Sequence, residues 1–132
     1  MYLLDTNVII DIIRGKYPAL KNHFMQTKFS DIFIPSIVVA ELEFGAKHSN
    51  NYLENRQKFI KVIKNFKILA FTDAEAVFYG EIRQNLTSRG LIIGPNDLLI
   101  AATALANNGI LITHNTNEFK RVENLTLEDW TK

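Results

Sequence analysis

Hydrophobic and polar positions divide the chain into short apolar runs that alternate with longer stretches of helical period. Tyr2-Leu3-Leu4 is too short for a helix and reads as a buried strand. From Thr6 to Arg14, Val8, Ile9, Ile12 and Ile13 recur at helical spacing, and Gly15 stops the helix. Pro18, a residue favoured at a first helical position, opens a second helix to about Thr27, with Leu20, Phe24 and Met25 facing inward. Ile32-Phe33-Ile34 predicts strand two, which Pro35-Ser36 ends. Ser36 is then placed to cap a helix from Ile37 to Ala46.

Lys47 to Asn51 is polar and reads as a loop. Leu53, Phe59, Ile60 and Ile63 give Tyr52 to Asn65 a helical period. Lys67 to Phe71 predicts strand three, and Thr72-Asp73-Ala74-Glu75 fits a capping box that opens a helix to about Ser88, closed by Gly90. After a turn-rich Leu91 to Pro95, Asn96-Asp97 starts a helix over Leu98 to Ala106 that is apolar nearly all round, the mark of a central, buried helix. Ile110 to Thr113 is strand four, Phe119 to Val122 a helical turn, and Leu125-Thr126-Leu127 an edge strand. Strands alternating with helices predict one α/β domain with a mainly parallel sheet, spanning residues 1–132.

Composition narrows the function. Lys+Arg is 15 and Asp+Glu 14, so the chain lacks the excess charge of a protein that coats nucleic acid. With no cysteine, disulfides and thiolate metal sites are excluded. No run approaches the ~20 apolar residues that span a bilayer, and no signal-like start appears, so a soluble, cytoplasmic protein with no membrane partner is expected. Nucleophile elbow, phosphate loop and dinucleotide fingerprint are all missing.

What remains is a set of acids. Asp5 ends strand one, where ligands bind in open α/β sheets. Asp97 opens the buried helix, Glu41 sits inside an apolar helix, and the His114-Asn115 corner ends strand four. Each alone has a plainer reading: Asp5 and Asp97 as helix-terminal acids, Glu41 as the wet edge of an amphipathic helix, Asn115 as a turn residue. Together they are harder to dismiss. Two ionised carboxylates ~5 Å apart repel by ~3 kcal/mol at an effective dielectric of ~20, so three in one pocket must hold a proton or a cation. All-oxygen ligands suit Mg²⁺ or Mn²⁺, and such an ion suits phosphodiester hydrolysis. His23, His48 and His114 have no metal-ligand spacing; the first two are expected at the surface. Lys47, Arg56, Lys58, Lys61, Lys64 and Lys67 make the middle third basic, either as a solvated helix face or as a rim that holds phosphates.

Four segments in this order resemble the PIN-domain ribonucleases, and among them the VapC toxins of type II toxin–antitoxin pairs. They are Leu4-Asp5-Thr6-Asn7, Ala40 to Ala46, Gly94 to Ala102, and Thr113 to Phe119. The resemblance implies a three-layer α/β/α sandwich and a Mg²⁺-dependent endoribonuclease, with Mn²⁺ able to substitute. It puts Asp5, Glu41 and Asp97 in the acidic site, with Asp5 and Asp97 as the principal metal ligands. Many members carry a fourth acid where Asn115 stands, which puts a second metal in doubt unless Glu118 replaces it. Thr6, Thr113 and Ser36 are expected to support the ligands. The resemblance also implies a homodimer, a DNA-binding VapB-like antitoxin that joins it in a larger hetero-oligomer, and an RNA substrate such as the anticodon stem-loop of initiator tRNA. Two other readings stand beside it: a receiver-like Mg²⁺ phosphoacceptor, and a catalytically weak RNA- or protein-interaction module motivated by Asn115.

Overall fold

The computed structural model describes residues 1–132. Its five strands are β1 (Tyr2–Leu4), β2 (Ile32–Pro35), β3 (Lys67–Leu69), β4 (Ile110–Ile112) and β5 (Thr126–Glu128), in the order β3-β2-β1-β4-β5, with every neighbouring pair parallel. Seven helices connect them: α1 (Thr6–Arg14), α2 (Pro18–Gln26), α3 (Ser36–His48), α4 (Tyr52–Ile63), α5 (Asp73–Ser88), α6 (Pro95–Ala106) and α7 (Thr116–Phe119). The chain winds outward from β1 to β3, then returns to the other side of β1. Right-handed connections place helices on opposite faces before and after that reversal, which makes the three-layer sandwich. The reversal falls between β1 and β4, and a crevice opens there at the carboxyl ends of both strands.

Leu3, Leu4, Ile32, Ile34, Leu111 and Ile112 are almost completely buried, as continuous apolar runs in a doubly covered sheet require. In α6, Ile100, Ala101, Ala102, Thr103 and Ala104 are all sealed from solvent, and small side chains let α5 pack closely along it. Gly15 ends α1 in the left-handed region at φ 63°, and its N–H bonds back to the carbonyls of Asp11 and Ile12. Thr72 and Glu75 form the expected capping box on α5.

Several details depart from the sequence reading. Met25 points outward, 75% exposed, because α2 buries a narrow stripe through Leu20 and Phe24, and the next residue is turned by about 100°. Leu53 is likewise exposed. Ser36 is the first residue of α3 rather than its cap; Pro35 holds the cap position without a side-chain bond. The helix also runs on through Lys47 and His48. There Lys47 lies 3.9 Å from the Tyr52 ring centroid, His48 stacks on Phe44, and basic side chains suit a helix carboxyl end. The last helical turn falls at Thr116–Phe119, earlier than its apolar residues suggest. His23 is half-buried, stacked on Trp130 with ring centroids 5.4 Å apart.

Gly109 enters β4 against the core: a methyl group there would collide with the buried Leu3 side chain. Gly109→Ala is expected to lower stability in urea unfolding by about 1–3 kcal/mol. Gly45, in the exposed interior of α3, has nothing within 4 Å. Gly45→Ala should instead raise stability by about 0.5–1 kcal/mol in the same assay.

Candidate active site

Asp5 follows β1 directly and caps α1, so its backbone is fixed by two elements at once. Its N–H donates to the Ile112 carbonyl of β4 (3.0 Å), and its Oδ1 accepts from the Thr6 N–H (2.8 Å). Oδ2 accepts from the hydroxyl of Thr113 (2.8 Å), the residue just past β4. The pairing of β1 with β4 therefore carries Thr113 to Asp5. Thr113 is completely buried, and its Oγ1 also accepts the N–H of Asn115 (2.9 Å), so that hydroxyl ties the strand end to the following loop.

Three more carboxylates share the crevice. Glu41 projects from α3; its Oε1 accepts from the Thr6 hydroxyl, and its Oε2 makes a long contact with the Asn96 amide (3.4 Å). Asp97 stands in the first turn of α6, and Glu118 on α7. Asp97 and Glu118 close over Gly94, where an added side-chain carbon would lie 3.5 Å from Asp97 Oδ2 and 3.6 Å from Glu118 Oε1. Glu118 is held on both oxygens, by the Gly94 N–H (2.6 Å) and the Asn115 amide (2.8 Å). The structure thus brings together Asp5, Glu41, Asp97 and Glu118, with Thr6, Thr113 and Asn115 bonded to them. Ser36 is not bonded to any of them.

Their protonation shows how closely they interact. Burial pushes the Asp5 carboxyl up, bonds from Thr113 and Thr6 pull it back, and the charges of Glu41 and Glu118 raise it further. Asp97 is pushed up to about 7, first by burial, then by Asp5, by the charge and hydrogen bond of Glu118, and by Glu41. Glu118 moves the other way: the Gly94 amide holds it below the usual carboxylate range against the cost of burial. Of the pair, Asp97 is driven toward the protonated form and Glu118 toward the ionised one.

The donor set fits a hard divalent cation. It is all carboxylate oxygen, with no thiol or imidazole, and none of the four acids forms a salt bridge that would neutralise it. As the side chains stand, no group of three acids or histidines is set to ligate one ion together. Glu41 is engaged by Thr6 and Asn96, and Glu118 by Gly94 and Asn115. Asp5 is held as well, by Thr6 and Thr113, with a lone pair of each oxygen still open, and Asp97 alone accepts from no neutral donor.

The basic stretch is less available than its sequence suggests. Arg56 is bonded to Glu43 at 3.0 Å, Lys58 lies 3.6 Å from Glu54, and Lys47 covers Tyr52. Sequence reasoning missed the cations nearer the crevice, Arg14 and Lys16 on either side of Gly15. Together with Asp11 and Tyr17 they line a hollow that also includes Asn7, His114 and Asn115. Their signal was present as the end of a helix that starts at Asp5. A second cavity of about 360 Å³ runs between α1, α3 and α4, lined by Ile10, Ile13, Leu42 and Phe59, with Glu41 and Lys58 on its wall.

Residues 2–125 match the sequence model of the PIN domain family. The chain is 41% identical to Ribonuclease VapC2 of Rickettsia felis, over 100% of this chain and 99% of that protein. It is 32% identical to the tRNA(fMet)-specific endonuclease VapC of Shigella flexneri, over 98% of each. Among solved structures, VapBC2 from Rickettsia felis bound to a DNA fragment from its promoter superposes with a TM-score of 0.91 at 40% identity, covering 98% of both chains.

The raised Asp97 carboxyl makes a statement about stability. A carboxyl whose folded value lies above its unfolded one contributes stability that is complete below about 4 and is lost as pH rises through about 7. Without divalent cations, thermal unfolding should therefore show the fold losing stability from pH 5 to pH 8. Asp97→Asn should flatten that loss and melt higher than the parent at pH 8. A parent more stable at pH 8 than at pH 5, with Asp97→Asn unchanged in profile, would contradict the assignment.

Proposed function

The chain belongs to the PIN-domain family, with the VapC ribonucleases, and from that premise we propose that it is a metal-dependent endoribonuclease, the toxin of a type II toxin–antitoxin pair. Residues 1–132 form one nuclease domain in this reading. The observation that carries it is the convergence of Asp5, Glu41, Asp97 and Glu118 at the β1/β4 crevice, far apart in the chain and without a neutralising cation of the protein's own. Asp5 and Asp97 are the principal ligands of Mg²⁺, or Mn²⁺ in its place, and Glu41 and Glu118 act at the second rank or through water. When bound, the ion supplies charge neutralisation at the scissile phosphate and lowers the pKa of an attacking water.

The residues of the chain do the positioning. Thr6 and Thr113 fix the two oxygens of Asp5, one through its N–H and the other through its hydroxyl, so the ligand faces the crevice in a single orientation. Thr6 also holds Glu41 through its hydroxyl. Asn115, which stands where an acid was expected, holds Glu118 instead, and Glu118 supplies the fourth negative charge. That substitution weakens the case for a dead interaction module. The receiver-like reading loses support because His114-Asn115 follows Thr113 where such a domain needs a lysine.

The substrate is RNA, in the cytoplasm, and the relatives named for tRNA(fMet) favour the anticodon stem-loop of initiator tRNA. The toxin is a homodimer that a cognate DNA-binding, VapB-like antitoxin converts into a larger complex. The cavity between α1, α3 and α4 is the seat of an antitoxin segment: its apolar wall reaches Glu41, so a basic side chain on that segment can enter the acid cluster and pair with it.

Asp5→Asn and Asp97→Asn should each lower RNA cleavage by more than about a hundredfold while circular dichroism shows an intact fold. Glu118→Gln, which removes charge from a supporting acid, should cost about ten- to a hundredfold. EDTA should stop the parent enzyme, and excess Mg²⁺ or Mn²⁺ should restore it. Cleavage that continues in chelator, or at parent rates in Asp97→Asn, would rule the reading out.

A further inference from the structure

Beside the acid crevice lies a hollow that the hydrolytic chemistry does not use. It measures about 440 Å³ and is walled by Asn7, Asp11, Lys16, Tyr17, His114 and Asn115, with Arg14 at its rim. It adjoins the crevice at two points: Asn7 is two residues beyond Asp5, and Asn115 bonds Glu118. Its size accommodates one nucleotide.

Asp11 is the unexpected wall. It lies on α1 with 9% of its surface exposed, and its carboxylate makes no hydrogen bond and no ion pair, not even with Arg14 three residues on. No buried side-chain oxygen in the molecule is both sealed and unpartnered, so the Asp11 oxygens keep a path to the hollow. With no protein donor on them, those oxygens face only water in the hollow, which the donors of a ligand can replace. Another part of the lining is aromatic. The Tyr17 and His114 rings meet at 5.6 Å and 45°, the His114 ring is anchored by Asp129 Oδ2 at 3.0 Å, and the Lys16 ammonium lies 5.3 Å from the Tyr17 centroid.

We propose that this hollow holds one unpaired guanine of the RNA, beside the phosphate that is cut, with Asp11 reading its Watson–Crick edge. Among the four bases only guanine presents two adjacent N–H donors, N1–H and the N2 amino group, and a carboxylate matches both. Its O6, on the same edge, faces the Lys16 ammonium or the Asn7 amide. Tyr17 and His114 offer the ring faces on which an unstacked base rests, while Arg14 takes a flanking phosphate. The edge that Asp11 reads is occupied in a duplex, so the guanine comes from a loop or single strand. This inference rests on the ribonuclease reading and adds base selection to it.

The test uses one short RNA hairpin in two forms, identical except that inosine replaces each loop guanine and so removes only the N2 amino group. The parent protein should cut the guanine form about tenfold faster, and the Asp97→Asn protein should bind it more tightly by a similar factor in fluorescence anisotropy. Asp11→Asn, checked for folding by its melting curve, should cut the guanine form about tenfold more slowly than the parent does, and so lose the preference. A parent enzyme that cuts both RNAs at one rate, or an Asp11→Asn enzyme that keeps the preference, overturns the guanine site and leaves the nuclease standing. A parent protein that cuts neither form in Mg²⁺ overturns the nuclease reading and the guanine site with it. Should Asp11→Asn not fold, the guanine-to-inosine comparison in the parent decides alone.

Discussion

Carboxylates crowded together out of water repel one another, and this fold is arranged around that repulsion. Four acids from four separate elements meet where the winding of the sheet reverses, and no lysine or arginine is paired with any of them. The chain moderates the repulsion with neutral donors: two on Asp5, two on Glu118, and the Thr6 hydroxyl and Asn96 amide on Glu41. It does not remove it, because the carboxyl of Asp97 is still driven up to about 7. Donors without charge orient an acid and leave its negative potential available. A salt bridge would have quenched it.

The same choice sets the surroundings. The net charge is near zero, so attraction for a polyanion depends on where the cations sit rather than on how many there are. Arg56 and Lys58 lie beside acids of their own, whereas Arg14 and Lys16 stand at the end of the helix that Asp5 begins. One element therefore presents a metal-type acid at one end and phosphate-type cations at the other. Between that helix, α3 and α4, the apolar cavity reaching Glu41 gives a protein partner access to the same acids. The two hollows adjoin along that helix, sharing Ile10 and Arg14.

Much of this was legible in the sequence. Short apolar runs set against helical periods located the strands to within two residues, most sharply β1, β2 and β4, where a doubly covered parallel sheet leaves no ambiguity of face. The positions of Asp5, Thr113 and Asp97 at element ends were readable for the same reason. Less visible was anything decided by distant packing. Met25 and Leu53 fit helical periods but face outward, since periodicity gives a face and not its width. His23 looked like a surface residue until Trp130, more than a hundred positions later, came to lie on it. Glu118 was legible only as a substitute for the missing acid at Asn115. Its place over Gly94 depends on how α7 meets the start of α6, which no local pattern encodes. Asp11 was hidden in the apolar face of α1, where an acid reads as a break in the pattern.

The account depends on one cation being shared between Asp5 and Asp97. Crystals of the protein soaked in Mn²⁺ and recorded at the manganese absorption edge test this most directly. The account predicts an anomalous peak in contact with both carboxylates, at the carboxyl ends of β1 and β4, that disappears in Asp5→Asn crystals. A crevice without a peak at saturating Mn²⁺, or a peak held by other side chains, would contradict it.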